Sequence, residues 1–239
     1  MNVTPALVDA SPQIAPVSGW QTVRRLTAGI SLVTSPLLLL AGFTVMPAPV
    51  ADSAAALQVI AAHSTRWYLF GMFQLLSYLL LVPATLGLVH LADRRSPAWA
   101  NLGGALAVLG AITAVADIRL WVFAQQQMAA SAADRPQMVA LVHRLDAAMS
   151  ASLPFVLGSL ALLLGTAALA VGLYRARAVP LGICAMLAAG VIANFAAWAA
   201  GNHPALIATS LLLLIGYAWI GTHVLRQSDA AWLGTQHAQ

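Results

Sequence analysis

Lysine and glutamate are absent from this sequence: among 239 residues the charges are 11 arginines and 7 aspartates. We read the double absence as codon bias in a GC-rich bacterial genome rather than as function. Cysteine occurs once, at Cys184, so no disulfide forms within the chain and no Cys-x-x-Cys dithiol exists. No two aspartates lie within four residues of one another, which removes the aspartate-rich cluster that holds magnesium and diphosphate in ionisation-type prenyl enzymes. A Gly-rich phosphate loop, a Gly-x-Ser-x-Gly elbow and a His-Glu-x-x-His pair are missing too. ATPases, metzincin-type proteases and dithiol oxidoreductases are thereby excluded, and neither a metal nor a cofactor is expected.

Charge of either sign is scarce, at 8% of residues, whereas 61% are hydrophobic and the mean hydropathy is +0.84. Soluble globular domains do not reach that balance. Six apolar runs, 26–46, 67–91, 99–124, 150–174, 179–200 and 204–224, each reach the roughly 20 residues that cross about 30 Å of hydrocarbon. The expected fold is an all-α integral membrane protein, a six-transmembrane-helix bundle. The first run is too long, and too weakly flanked by small cleavage-site residues, for a removable signal peptide. Arg24, Arg25, Arg94, Arg95, Arg175, Arg177 and Arg226 fall on one side of this layout, and Arg66, Arg135 and Arg144 on the other. The positive-inside rule then predicts a multi-pass protein of the cell membrane with both termini cytoplasmic. The net charge of +4 reports topology and contact with membrane lipid, and gives no argument for nucleic acid. No motif names a protein partner.

Residues 1–25 are polar, with Pro5, Pro12 and Pro16, and read as a cytoplasmic arm that is poorly ordered or forms a short interfacial helix. A single membrane domain covers 26–224, and 225–239 is a cytoplasmic tail. The connections "DRRSPA" and "RARAVP" are short, so their flanking helices are expected to be antiparallel neighbours. On the opposite side, "ADSAAALQVIAAHSTRW" from Ala51 and "ADRPQMVALVHRLDAAM" from Ala133 open alike and run amphipathically into the next span. Each predicts an outer interfacial helix with Asp52 or Asp134 near its N-terminal cap. Span, outer helix and span thus recur over 26–97 and 99–178, while the hairpin 179–224 turns through "GNHP" without an outer helix. This pattern suits a compact bundle grown by duplication better than an inverted-repeat transporter. Pro36 and Pro83 predict kinks, and "LGGALAVLG" suits close helix packing.

The stretch "VADIRLW" sets Asp117 inside the third run, where an ionised aspartate costs about 2.5 to 3.5 kcal/mol. Hydrocarbon favours the neutral acid, so Asp117 is expected to be protonated, able to donate, and facing a partner or a cavity. Arg119 is a poor partner, because residues two apart on a helix point about 200° away from each other. Its guanidinium is expected to snorkel to headgroups roughly 9 Å away.

Counted from the outer ends of their spans, Gln74, Asp117 and Asn194 each lie eight residues deep, which places them about 12 Å beneath the surface. Thr209 and Ser210 lie slightly nearer it. Asp117 with Trp121, Asn194 with Trp198, and Phe70 with Gln74 and Tyr78 repeat at i and i+4, so each polar group shares its helix face with an aromatic ring. Two readings stand open: an aromatic interface belt with interhelical hydrogen bonds, in which Trp67, Tyr68 and Trp198 fit well, or a true pocket.

The outer histidines His63, His143 and His203 come from three segments without local ligand spacing, and read as surface residues rather than a zinc or copper site. His90 and His223 lie near helix C-termini, where the helix dipole favours them.

One protonated acid in a dry, aromatic-lined bundle suits a reaction begun by protonating an alkene or epoxide, with aromatic faces stabilising the cation and water excluded. At Asp117, Trp121 and Trp198 the chain resembles the small integral-membrane terpene cyclases, helical-bundle enzymes of similar length that cyclise prenylated substrates by acid initiation without a metal. The likeness lies in overall size, span-rich layout and an acid beside aromatics, with no diagnostic motif matched. Fungal members are commonly seven-span and use a Glu together with an Asp. This chain has six spans and no Glu, so only Asp117 carries over, as the acid.

The resemblance implies a terpene or meroterpenoid cyclase of isomerase or lyase type, acting without a cofactor on a lipophilic prenylated small molecule. Asp117 is then the proton donor, Gln74 and Asn194 orient it or the substrate, and Phe70, Tyr78, Trp121 and Trp198 form the substrate walls. The same residues also fit a non-enzymatic protein that binds, transports or senses a small lipid or amphiphile, a proton relay through Asp117, or hydrogen bonding of Asp117 to Gln74 or Asn194 that merely joins helices.

Overall fold

Hydrocarbon offers no hydrogen bonds, so a spanning segment must satisfy its backbone internally, and the six apolar runs do so as helices. The computed structural model describes residues 19–50, 52–131, 134–150 and 153–233. Its helices are α1 (Gly19–Val45), α2 (Ser53–Ala62), α3 (Ser64–Asp93), α4 (Pro97–Ala130), α5 (Arg135–Ser150), α6 (Leu153–Arg175), α7 (Leu181–Ala199), α8 (His203–Arg226) and α9 (Asp229–Leu233). Six of these, α1, α3, α4, α6, α7 and α8, are long and apolar enough to span, and the chain is an all-α, multi-pass membrane protein. Most of the expected N-terminal arm (1–18), Ala51, Ala133 and the last tail residues (234–239) lie outside the described residues.

The long helices pack in the order α1, α3, α4, α6, α7, α8 and back to α1, which closes a ring. The short turns at Arg94 and Arg177 leave α3 beside α4 and α6 beside α7. Helix, short helix and helix recur in α1–α3 and α4–α6, and in each set the two long members are neighbours. Pro36 and Pro83 lie inside continuous helices. Next to Pro36 the buried Ser35 and Ser77 bond reciprocally, each hydroxyl donating to the other's carbonyl at 2.9 and 2.7 Å, and clasp α1 to α3.

The seam between α4 and α6 is the closest in the ring because glycines line it. A Cβ at Gly103 would lie 2.8 Å from the backbone nitrogen of Leu169, and one at Gly165 would strike the backbone of Ala107. Van der Waals packing rather than a hydrophobic gradient drives helix association in lipid, so this approach carries the seam. Gly165→Val is expected to destabilise the bundle by roughly 3 kcal/mol, read as a shifted midpoint of reversible unfolding in mixed micelles.

The arginine-bearing end of the ring is solid. Leu32, Leu88, Leu173, Leu187, Ile220 and Val224 are buried there together with Tyr217 of α8. At this end residues 19–25 continue α1 beyond the apolar run. The reason is a partner on the tail. Asp229 of α9 accepts hydrogen bonds from Thr22 Oγ1 (2.7 Å) and Arg25 Nε (2.8 Å), while Arg25 also donates to the C-terminal carbonyl of Leu225 (2.9 Å). Trp232 is buried against the His90 ring at 4.2 Å, and its carbonyl meets His90 Nε2 (2.9 Å) and Arg94 Nη2 (3.1 Å).

The Thr22 hydroxyl first, and then the Arg25 guanidinium, hold the Asp229 carboxyl below its ordinary value of 3.8. A depressed value in the folded state means that the contribution is complete above the ordinary value and is lost as pH falls through the depressed one. The protection of the α9 amides, taken relative to the intrinsic exchange rate at each pH, is therefore expected to be unchanged from neutral pH down to about pH 4 and to fall below it. In Asp229→Asn that acid-dependent step is expected to vanish.

At the far end, the Asp52 carboxylate accepts from Ala55 N–H at 2.7 Å and caps α2. Asp134 directly precedes α5, and its carbonyl accepts the Met138 N–H. Leu57 and Ile60 of α2 pack with Met128 and Ala129 of α4 and Val142 of α5. Thus α2, which joins the first two long helices, lies mainly on α4.

Candidate functional site

Toward the far end the ring is hollow. A cavity of about 440 Å3 lies among α3, α4, α6 and α7, with Phe43 of α1 at its edge. That volume is within the roughly 300–1,000 Å3 of small-molecule sites, and well above the about 150 Å3 of an engineered cavity that binds benzene. Phe70, Gln74, Tyr78, Asp117, Trp121, Asn194 and Trp198, the seven residues singled out from spacing, all line it. Helical periodicity does the placing: Phe70, Gln74 and Tyr78 occupy one face of α3, Gly110, Thr113, Asp117 and Trp121 one face of α4, and Val191, Asn194 and Trp198 one face of α7.

The Asp117 carboxyl makes no hydrogen bond or ion pair among the described residues. Arg119 points away and is exposed, with its guanidinium 5.8 Å from the Phe123 ring centroid one turn on. Among the described residues the salt bridge is Arg25–Asp229, at the opposite end. Tyr78 lies within electrostatic reach of Asp117.

Gln74 is only 3% exposed, rests against Gly42 of α1, and its Oε1 is buried without a hydrogen-bond partner among the described residues. Asn194 differs. Its Nδ2 donates to Thr209 Oγ1 (2.9 Å) and Ser210 Oγ (3.1 Å), which joins α7 to α8. Interhelical hydrogen bonding therefore accounts for Asn194, but Asp117 is bonded to neither Gln74 nor Asn194.

Part of the aromatic set is structural. Trp67 Nε1 donates to the Val122 carbonyl at 2.9 Å and bridges α3 to α4, and Tyr68 faces outward against Phe123. Phe43 links Phe70 and Trp198, each at 6.1 Å between centroids, along the cavity edge. Val156 and Leu160 of α6, and Phe195 and Trp198 of α7, line the cavity and are also exposed on the bundle surface. The cavity thus reaches the membrane-facing side between α6 and α7.

The structure does not gather His63, His143 and His203: among the described residues no group of three or more His, Cys, Asp or Glu side chains forms a metal-holding set. His63 and His143 are exposed, and His203 Nε2 meets the Phe43 carbonyl at 2.7 Å. His223 stacks on Trp219 with ring centroids 5.6 Å apart.

Sequence reasoning missed the α6 wall, including Ser159, and the α4 residues Thr113 and Gln125. Ser159 stands seven residues before Thr166 on one helix face and Thr113 one turn before Asp117, so both were legible from spacing, whereas the leucines and valine of the α6 wall carry no such signal.

Fold and site together define a multi-pass helical-bundle membrane protein with an acid-bearing, aromatic-lined cavity at one end. Comparison with protein families, curated proteins and solved structures finds no match for the chain.

Proposed function

We propose that this protein is a membrane-embedded terpene or meroterpenoid cyclase that begins ring closure by protonating a prenylated, lipophilic substrate. The observation that carries this reading is the unpaired Asp117 carboxyl facing a cavity of about 440 Å3 walled by Phe70, Tyr78, Trp121 and Trp198. The resemblance in size and span-rich sequence to the small integral-membrane terpene cyclases supports it. Asp117, protonated in this reading, gives its proton to a terminal alkene carbon or epoxide oxygen. An internal double bond then closes on the resulting cation, and the aromatic faces stabilise the migrating charge by about 0.5 to 2 kcal/mol each. A proton lost from the product cation returns to the Asp117 carboxylate. The sum is an isomerisation that needs no metal or co-reactant. Gln74 and the Asn194 carbonyl orient the acid and the substrate, which enters from lipid between α6 and α7. The arginine-bearing end faces the cytoplasm of the cell membrane, with both termini on that side.

The test is incubation of the purified protein in lipid nanodiscs with a farnesylated phenol and with its terminal epoxide. A product of unchanged mass and altered retention is expected. Substrate recovered unchanged at saturating protein overturns the cyclase. The opening between α6 and α7 also fits a carrier or sensor of small amphiphiles. For that function the same experiment yields bound, chemically unaltered ligand.

A further inference from the structure

Beyond Trp121 and Trp198, a second chamber of about 220 Å3 lies beneath the segment Met46–Val50 and α2, at the far ends of α3, α4 and α8. Trp121 and Trp198 line both chambers, so the two adjoin at this pair of rings. Apart from the indole N–H groups of Trp67, Trp121 and Trp198, the walls carry one polar side chain among the described residues. Gln125 is 8% exposed, lines this chamber, and makes no hydrogen bond among the described residues. The adjacent Gln126, in contrast, donates to the Ser64 carbonyl. The Gln125 amide opens onto the chamber, where donors and an acceptor unused by protein groups among the described residues are available to a ligand.

The charge inventory narrows the ligand. Among the described residues neither chamber is lined by an arginine or a histidine, and Asp117 is the sole carboxyl in their walls. A phosphate or diphosphate placed there has no countercharge, whereas a hydroxyl or carbonyl needs only the Gln125 amide.

We infer that the far chamber is a second ligand subsite that holds an uncharged hydroxyl- or carbonyl-bearing head group on Gln125, while the apolar chain of the same molecule passes between Trp121 and Trp198 into the Asp117 cavity. Eight residues of α4 separate Gln125 from Asp117, so the head group sits about 12 Å from the acid. This rests on the reading of the Asp117 cavity as a ligand site. It narrows the substrate class to neutral, single-headed isoprenoids.

The experiment uses the full chain in nanodiscs and a diazirine-tagged farnesol as photolabel, with the labelled peptides mapped by mass spectrometry. Farnesol, farnesyl diphosphate and the hydrocarbon farnesane compete for labelling. Labelling of α4 and α7 peptides is expected to be displaced by farnesol about tenfold more effectively than by either competitor. Gln125→Leu, and independently Gln125→Met, are expected to reduce farnesol to the level of farnesane while leaving farnesane unchanged. Equal competition by the three compounds in the natural protein overturns the inference without any variant. Retained farnesol preference in either folded variant overturns the role of Gln125.

Product assays on the natural protein, run beside the labelling, separate this inference from the cyclase. Gln125-dependent farnesol binding with no cyclic product from the natural protein sinks the cyclase alone. Cyclic product formed without head-group preference sinks this inference alone.

Discussion

Asp117→Asn is expected to lower formation of cyclic product from the farnesylated phenol or its epoxide by about a thousandfold, the middle of the range for a lost general acid. Asparagine keeps the shape and hydrogen-bonding capacity of a protonated aspartic acid but has no proton of comparable acidity to give. Because the Asp117 carboxyl has no hydrogen-bond or ionic partner among the described residues, its loss breaks no structural contact. Unfolding stability is therefore expected to stay within about 0.5 kcal/mol of the natural protein. Initial rates and reversible unfolding measured on the same preparation distinguish the outcomes. Undiminished turnover removes Asp117 from the chemistry, and a large stability loss with intact turnover makes it a structural residue.

Filling the cavity with Ala114→Trp is expected to cut both product formation and photolabelling by about a hundredfold, equivalent to roughly 3 kcal/mol of steric cost to the bound state. Ala114 is half-buried, lines the cavity three residues before Asp117, and faces open space that an indole occupies. The matched control is Ile112→Trp. Ile112 is 57% exposed on the outer surface of the same helix and does not line the cavity, so turnover and folding are expected to be unchanged. Equal effects from the two substitutions indicate a general response of α4 to bulk and sink the assignment of this cavity. Loss confined to Ala114→Trp, with native unfolding behaviour, ties function to the space itself.

Much of this molecule was legible before folding because the relevant signals are local. Twenty-residue apolar runs locate the spans, and the Ala-Asp opening foretells the helix that Asp52 caps. Depth counting at about 1.5 Å per residue put Gln74, Asp117 and Asn194 in one layer, and the i, i+4 rule put Phe70, Tyr78, Trp121 and Trp198 on the same faces. The rule of opposite faces likewise separated Arg119 from Asp117.

What stayed hidden has one physical origin. Lipid tails are as apolar as leucine, so hydropathy does not distinguish the face of a spanning helix that meets lipid from the face that meets another helix. Leu163 lines the cavity and the adjacent Leu164 faces outward on α6, yet their residue types are identical. The α9 clasp through Asp229, the commitment of Asn194 to α8, the open amide of Gln125 and the solid packing of one end depend on which helices meet. The sequence by itself determined a six-span bundle with one acid and its aromatic neighbours at a common depth, since length, periodicity and spacing are properties of single helices. Only the tertiary structure decided that these residues surround a shared cavity and that Asp117 stands there without a partner among the described residues, because closing the ring turns separate helix faces toward one another.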